Sequence, residues 1–107
     1  IPLDSVATGQ AGTCWIITGG RTLYASNAGR GTVSAYTTNS RGQLAGGATT
    51  ATDAGTVDAA AAGGYLYVQA GGAGIVDAYR IGASGALTKT GSVTVPDAAG
   101  AEGIVAL

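Results

Sequence analysis

The chain has 107 residues, the length of one small domain. Only 10% of the residues are charged, five basic against six acidic, and this composition gives no electrostatic footprint for nucleic acid or for an anionic membrane. Histidine is absent and Cys14 is the single cysteine, which excludes an intrachain disulfide and any histidine base or metal ligand within this sequence.

The first predicted element is a single strand within residues 1–10. This segment leads into Gln10-Ala11-Gly12 in the way that a later strand leads into Asp53-Ala54-Gly55. The later strand, residues 43–51, is the last of four strands in a unit that the sequence repeats. Residues 1–10 are therefore interpreted as the outer strand of a preceding unit.

Residues 11–53 contain four predicted strands. In the third, Val33 and Ala35 alternate with Thr32, Ser34 and Tyr36, and this period of two is typical of a strand. Glycines in the intervening turns supply the positive φ that tight hairpins need. The four strands are predicted at 12–18, 22–26, 32–36 and 43–51.

Residues 54–96 repeat this unit at an offset of 43 residues. A period in the low forties built of strands is that of one four-stranded blade of a β-propeller. Tyrosines that recur at this period predict packing between blades. The residue pairs matched at this offset include Leu23 with Leu66, Tyr24 with Tyr67, Val33 with Val76, Tyr36 with Tyr79 and Leu44 with Leu87.

The apolar stretch 59–76 is broken by glycines and Gln69, so no membrane span is predicted.

Segment 97–107 is predicted to be the inner strand of a closing blade, reached with a small insertion around Pro96. The predicted fold is therefore all-β: a β-propeller segment of two full four-stranded antiparallel blades, flanked by a last strand and a first strand of neighbouring blades. Two blades cannot close a ring whose usual minimum is about four. We therefore expect a partner, either a complementary polypeptide that forms the rest of the propeller or further copies of this chain.

The innermost strands of a propeller line its channel, and this predicts the candidate binding residues. Equivalent positions hold Trp15 in one blade, Asp58 in the next and Glu102 in the last strand. An indole can stack on the apolar face of a sugar or a lactone, and a carboxylate can accept its hydroxyl protons. In the alternative interpretation, Trp15 packs between blades and the two acids lie in solvated loops.

No cofactor or metal site is predicted. The phrase "GGAGIVDA" resembles a dinucleotide fingerprint, but Asp77 stands where a small residue is required, and a strand follows in place of a helix. The acidic residues show no recognisable metal-ligand spacing. Cys14 is expected to be a small buried residue.

The phrases "LYASNAGRGTVSAYTTNSRGQL" (23–44) and "LYVQAGGAGIVDAYRIGASGAL" (66–87) resemble the blade repeat of the lactonase-type seven-bladed β-propellers. These are the relatives of 6-phosphogluconolactonase and fungal carboxy-muconate cyclase, and the second phrase is also similar to YVTN repeats. The ending "GAEGIVAL" resembles the closing strand of such a protein, which implies a C-terminal segment. The resemblance implies lactone hydrolysis or a related lactonizing step, but no residue here is matched to a catalytic residue of that family.

Two functions therefore remain open. In the first, the assembled propeller acts on a lactone or a sugar-derived small molecule in its central channel. In the second, the chain belongs to a non-catalytic extracellular module that binds a glycan, a peptide or a protein. The lack of histidine and the low charge favour the second, since hydrolytic water needs a base. An extracellular or periplasmic location is expected.

Overall fold

The computed structural model describes residues 4–107 and contains eight β-strands and no helix within that range. No segment of this range is therefore a helix able to cross a membrane. The all-β prediction is confirmed. The strands are β1 (Thr13–Gly19), β2 (Thr22–Asn27), β3 (Thr32–Thr38), β4 (Leu44–Ala51), β5 (Thr56–Ala62), β6 (Tyr65–Ala70), β7 (Ile75–Ile81) and β8 (Leu87–Thr94).

The strands form two separate antiparallel sheets of four strands each. β1 to β4 lie in sequence order in one sheet, here called blade 1, and β5 to β8 lie in sequence order in the other, blade 2. The hairpin tips use glycines at matching positions, with a φ of 62° at Gly31 and 68° at Gly74. The two predicted blades are therefore present, and neither sheet closes on itself.

The hydrophobic core lies between the two blades. Leu66 and Val68 of blade 2 are fully buried against a face of blade 1 that carries Tyr24, Val33 and Ala35. Paired residues of adjacent strands share a face, so the core uses one face of each sheet. Within residues 4–107, no sheet covers the other face of either blade. The complete buried cluster is Tyr24, Val33, Ala35, Ala59, Leu66, Val68 and Tyr79.

Hydrogen bonds join the same two faces. The Tyr24 hydroxyl donates to the Gly85 carbonyl at 2.6 Å, and the Tyr79 hydroxyl donates to the Ala51 carbonyl at 3.0 Å. The Ser26 hydroxyl donates to the carbonyl of Val57 in the next blade. The prediction that recurring tyrosines pack between blades is thus confirmed for one member of each tyrosine pair.

Each of the two remaining faces lies beside one terminal segment. The blade 1 free face carries Leu23, Ala25, Tyr36 and Leu44 and lies beside the N-terminal segment. The blade 2 free face carries Tyr65, Tyr67, Gln69, Val76 and Ala78 and lies beside the C-terminal segment.

The two terminal segments are not paired as strands within the described range. Residues 4–12 and 95–107 have no ladder to a neighbour, and Ile1 to Leu3 of the predicted outer strand lie outside the described residues. A strand forms only beside a neighbour that shares its backbone hydrogen bonds. The flanking strands therefore stay predictions about completed blades.

Candidate functional site

Both inner strands carry a bulge at the position where the candidate residues were expected. The β1–β2 register shifts between Thr13 and Trp15, and the β5–β6 register shifts between Thr56 and Ala59. These irregularities stand at matching places in the repeat, and β1 and β5 are neighbours. A bulge bends a strand and redirects the side chains beside it, so Trp15 and Asp58 occupy equivalent bent positions.

The Trp15 side chain is only partly covered. It pairs with Ser26, so it points to the side of blade 1 that faces blade 2, and 37% of the residue is exposed. Trp15 thus lies on the side of blade 1 that faces blade 2 and keeps part of its surface accessible, so both interpretations of this residue stay open. Cys14 beside it is exposed, and the expectation of a buried cysteine is wrong because β1 is an edge strand.

Asp58 binds the backbone with both carboxylate oxygens. Its Oδ1 accepts the N–H of Ala59 at 2.8 Å, and its Oδ2 accepts the N–H of Ile104 at 3.2 Å. The second bond ties blade 2 to the C-terminal segment. Asp58 is half-buried and not in a solvated loop.

Glu102 lies two residues before Ile104 and is exposed. The Asp58–Ile104 bond therefore brings the segment that carries Glu102 to the start of β5. Within residues 4–107, no hydrogen bond or ion pair links the side chains of Trp15, Asp58 and Glu102 to one another. The structure places the first two on neighbouring strands and the third on the adjacent segment.

A buried ionic cluster was missed by the sequence reasoning. The Asp77 side chain on β7 is completely buried, and its Oδ1 lies 3.0 Å from the Nζ of Lys89 on β8. Its Oδ2 accepts the N–H of Asp53 at 3.0 Å. The Lys89 ammonium also lies 3.4 Å from the Asp53 carboxylate. These bonds hold the segment that connects the two blades, at Asp53, against strands β7 and β8.

Opposing effects set the pKa values in this cluster. Burial by itself raises the pKa of Asp77, but the hydrogen bonds from Asp53 and the Lys89 ammonium outweigh it, so the net pKa is lowered. The bond to Asp77 in turn raises the pKa of Lys89. Both groups are therefore charged at neutral pH.

The sequence does contain a signal for the burial of Asp77. Asp77 stands two residues before the repeated Tyr79 and so shares its face of the strand.

No protein-family model matches the chain, and no curated protein matches it. Solved structures do. A protein from Lactobacillus plantarum aligns with a TM-score of 0.71 and 20% identity, over 79% of this chain and 27% of that protein. A functionally unknown protein from Desulfotomaculum acetoxidans aligns with a TM-score of 0.71 and 17% identity, over 89% of this chain and 34% of that protein. The chain thus spans between a quarter and about a third of these proteins, and the likeness shows the fold alone.

Proposed function

We propose that this chain forms two blades of a lactonase-like β-propeller that binds a lactone or a sugar-derived small molecule in the channel of the completed ring. The observation that supports this most is the docking of two equivalent blades with their inner strands, β1 and β5, side by side. Further blades added by the same contacts would surround a channel lined by inner strands. The rest of the ring is supplied by a complementary polypeptide, and the particle acts outside the cytoplasm.

In this proposal the three candidate residues have different roles. The Trp15 indole packs against the apolar face of the bound ring. Asp58 positions the segment that carries Glu102, since both of its oxygens are already occupied. The exposed carboxylate of Glu102 takes a proton from the water whose oxygen bonds to the lactone carbonyl carbon. The acyl C–O bond to the ring oxygen then breaks, and Glu102 returns the proton to that oxygen, which leaves as a hydroxyl. The other catalytic groups come from the complementary polypeptide.

A non-catalytic role is the second candidate. The observation that favours it is the bonding of Asp58, whose carboxylate accepts hydrogen bonds from two backbone N–H groups. Asp58 therefore has a structural function. The alternative module would bind a glycan, a peptide or a protein through the same end of the inner strands.

Trp15 is the only tryptophan in this chain, so the part of the particle's emission that a Trp15→Phe variant lacks reports on this site. The native particle is titrated with glucono-δ-lactone and, separately, with glucose, while lactone opening is compared with the spontaneous rate. We expect a saturable change in Trp15 emission and lactone opening at least about 100-fold above the spontaneous rate, a modest acceleration for an enzyme. Glu102→Gln lowers turnover about 10-fold or more with binding retained, and Asp97→Asn, at another exposed acid of the same segment, changes neither.

The outcomes separate the candidates. Saturable binding without turnover favours the binding module. Turnover that is unchanged by Glu102→Gln assigns the proton transfer to the partner. A Trp15 emission that neither ligand changes contradicts the proposed site.

A further inference from the structure

We infer that the blade 2 free face docks the remaining three strands of a third blade, whose inner strand is this chain's own segment 101–107. Those three strands come from a complementary polypeptide. This inference rests on the proposed function, which places the chain in a closed ring, and it identifies the surface and the partner's chemistry.

The repeat provides the template for this contact. Four residues of the blade 2 free face are equivalent to residues that blade 1 uses to hold blade 2. In blade 1 the tyrosine and serine side chains bond to the next blade, while the valine and alanine pack in the core. The equivalent pairs are Tyr67 with Tyr24, Gln69 with Ser26, Val76 with Val33 and Ala78 with Ala35.

Polar groups on this face have unmet hydrogen bonds. The Gln69 Oε1 atom is buried and has no partner within residues 4–107, which is costly for an amide oxygen. The Tyr67 hydroxyl likewise makes no hydrogen bond in that range, whereas the equivalent Tyr24 hydroxyl does. An open groove of about 600 Å³ lies between Tyr65 and Tyr67 on one side and residues 104–107 on the other, so the C-terminal segment does not fill the face.

The chain after β8 follows the path that the chain after β4 takes into its next blade. The Val95 N–H donates to the Gly74 carbonyl at 2.8 Å, as the Thr52 N–H donates to the Gly31 carbonyl at 2.8 Å one repeat earlier. The Gly100 N–H then donates to the Gly71 carbonyl at 2.6 Å. After β4 this path continues as the inner strand β5. Residues 101–107 are therefore positioned as the inner strand of a third blade.

The path of this segment decides between two partners. A second copy that docked its blade 1 here would place its own β1 where residues 101–107 already lie. A polypeptide that adds a second strand beside 101–107 leaves the segment in place and extends the sheet. The partner then has to reproduce three contacts that blade 2 makes with blade 1. It needs a leucine on its second strand for the core and a tyrosine on its third strand that donates a hydrogen bond to the Thr94 carbonyl. It also needs a turn whose carbonyl accepts a hydrogen bond from the Tyr67 hydroxyl.

Residues 63–96 of this chain contain all three groups, as Leu66, Tyr79 and Gly85. The test appends a copy of 63–96 after Leu107 of the full chain and measures amide hydrogen exchange. We expect the amides of 101–107 and of the appended strands to exchange at least about 100-fold more slowly than in the unextended chain and in free peptide, respectively. The extended protein remains a monomer.

Matched variants identify the contact. Leu66→Asp within the appended copy abolishes the protection, because it places a charge in the new core. Tyr67→Phe in the parent chain reduces the protection about 5-fold or more, the loss expected for one hydrogen bond. Tyr36→Phe, on the blade 1 free face, has no effect on it.

Free exchange in 101–107 and in the appended residues would overturn the inference, and so would protection that survives the appended Leu66→Asp. Because exchange needs no ligand, the result is independent of the Trp15 titration. If the appended strands exchange freely while the native particle still binds the lactone, only the proposed docking surface is rejected.

Discussion

Tyr24 and Tyr67 are equivalent in the repeat, but their hydroxyls have different surroundings. The Tyr24 ring is 1% exposed and its hydroxyl donates to the Gly85 carbonyl of the next blade. Burial raises the pKa of Tyr24, while a hydrogen bond with Thr22 lowers it in part. Tyr67 is half-buried on the blade 2 free face. Identical residues thus differ because only one has a blade against it.

This difference predicts unequal effects of removing the hydroxyls. We expect Tyr24→Phe to lower the free energy of unfolding by about 1–3 kcal/mol, because the Gly85 carbonyl then loses its buried donor. Tyr67→Phe in the same unextended chain changes it by less than about 0.5 kcal/mol. Urea unfolding of both variants measures this. Equal changes in the two variants would contradict the assigned difference between the bonded Tyr24 hydroxyl and the Tyr67 hydroxyl.

The outermost strand β8 is paired with β7 along its length and is further held by ionic contacts of one side chain. All of its residues after Leu87 are exposed, and it forms the edge of its sheet. Lys89 connects this strand to the buried Asp77 and to Asp53 in the connection between the blades. The ion pair therefore joins β7, β8 and the crossing chain.

This anchoring makes stability depend on pH in a defined direction. Because the folded pKa of Asp77 is lowered, its contribution is complete above the pKa of the unfolded chain and is lost as the pH falls through the lower folded value. We expect the thermal midpoint to decline in this acidic range. Asp77→Asn weakens that decline and lowers stability at neutral pH by about 1–3 kcal/mol. Asp97→Asn, at an exposed acid, is the control, and an unchanged acid profile in Asp77→Asn would contradict this role.

The strands themselves were largely predictable from sequence. Alternation and glycine turns placed β2 and β3 to within two residues, since both depend on local pattern. The ionic cluster was not predicted, because Lys89 and Asp53 are 36 residues apart and meet only through the docking of the blades. The hydrogen bonds of Asp58 to Ala59 and Ile104 also depend on a bulge and a segment path that no local pattern specifies.

At the scale of the whole molecule, stability depends on the single core between the blades. Neither sheet buries a cluster of its own within residues 4–107, since the core takes one face from each. Leu66 lies at its centre and is completely buried. The two blades are therefore expected to unfold together.

We expect Leu66→Ala to cost about 2–5 kcal/mol through lost burial and the cavity that it leaves. Hydrogen exchange should show faster opening in blade 1 as well as in blade 2. Ile16→Ala, at a residue of blade 1 that is 69% exposed, serves as the control and should cost less than about 1 kcal/mol. Faster exchange confined to blade 2 would mean that the sheets are independent units.

The shared core also determines when the chain can fold during its synthesis. Tyr24 and Val33 are made several tens of residues before their partners Leu66 and Tyr79. Until then the first sheet exposes its apolar face and its edges, the features through which nascent chains associate wrongly. During synthesis, the first sheet is thus most exposed to wrong association in the interval before Tyr79 emerges.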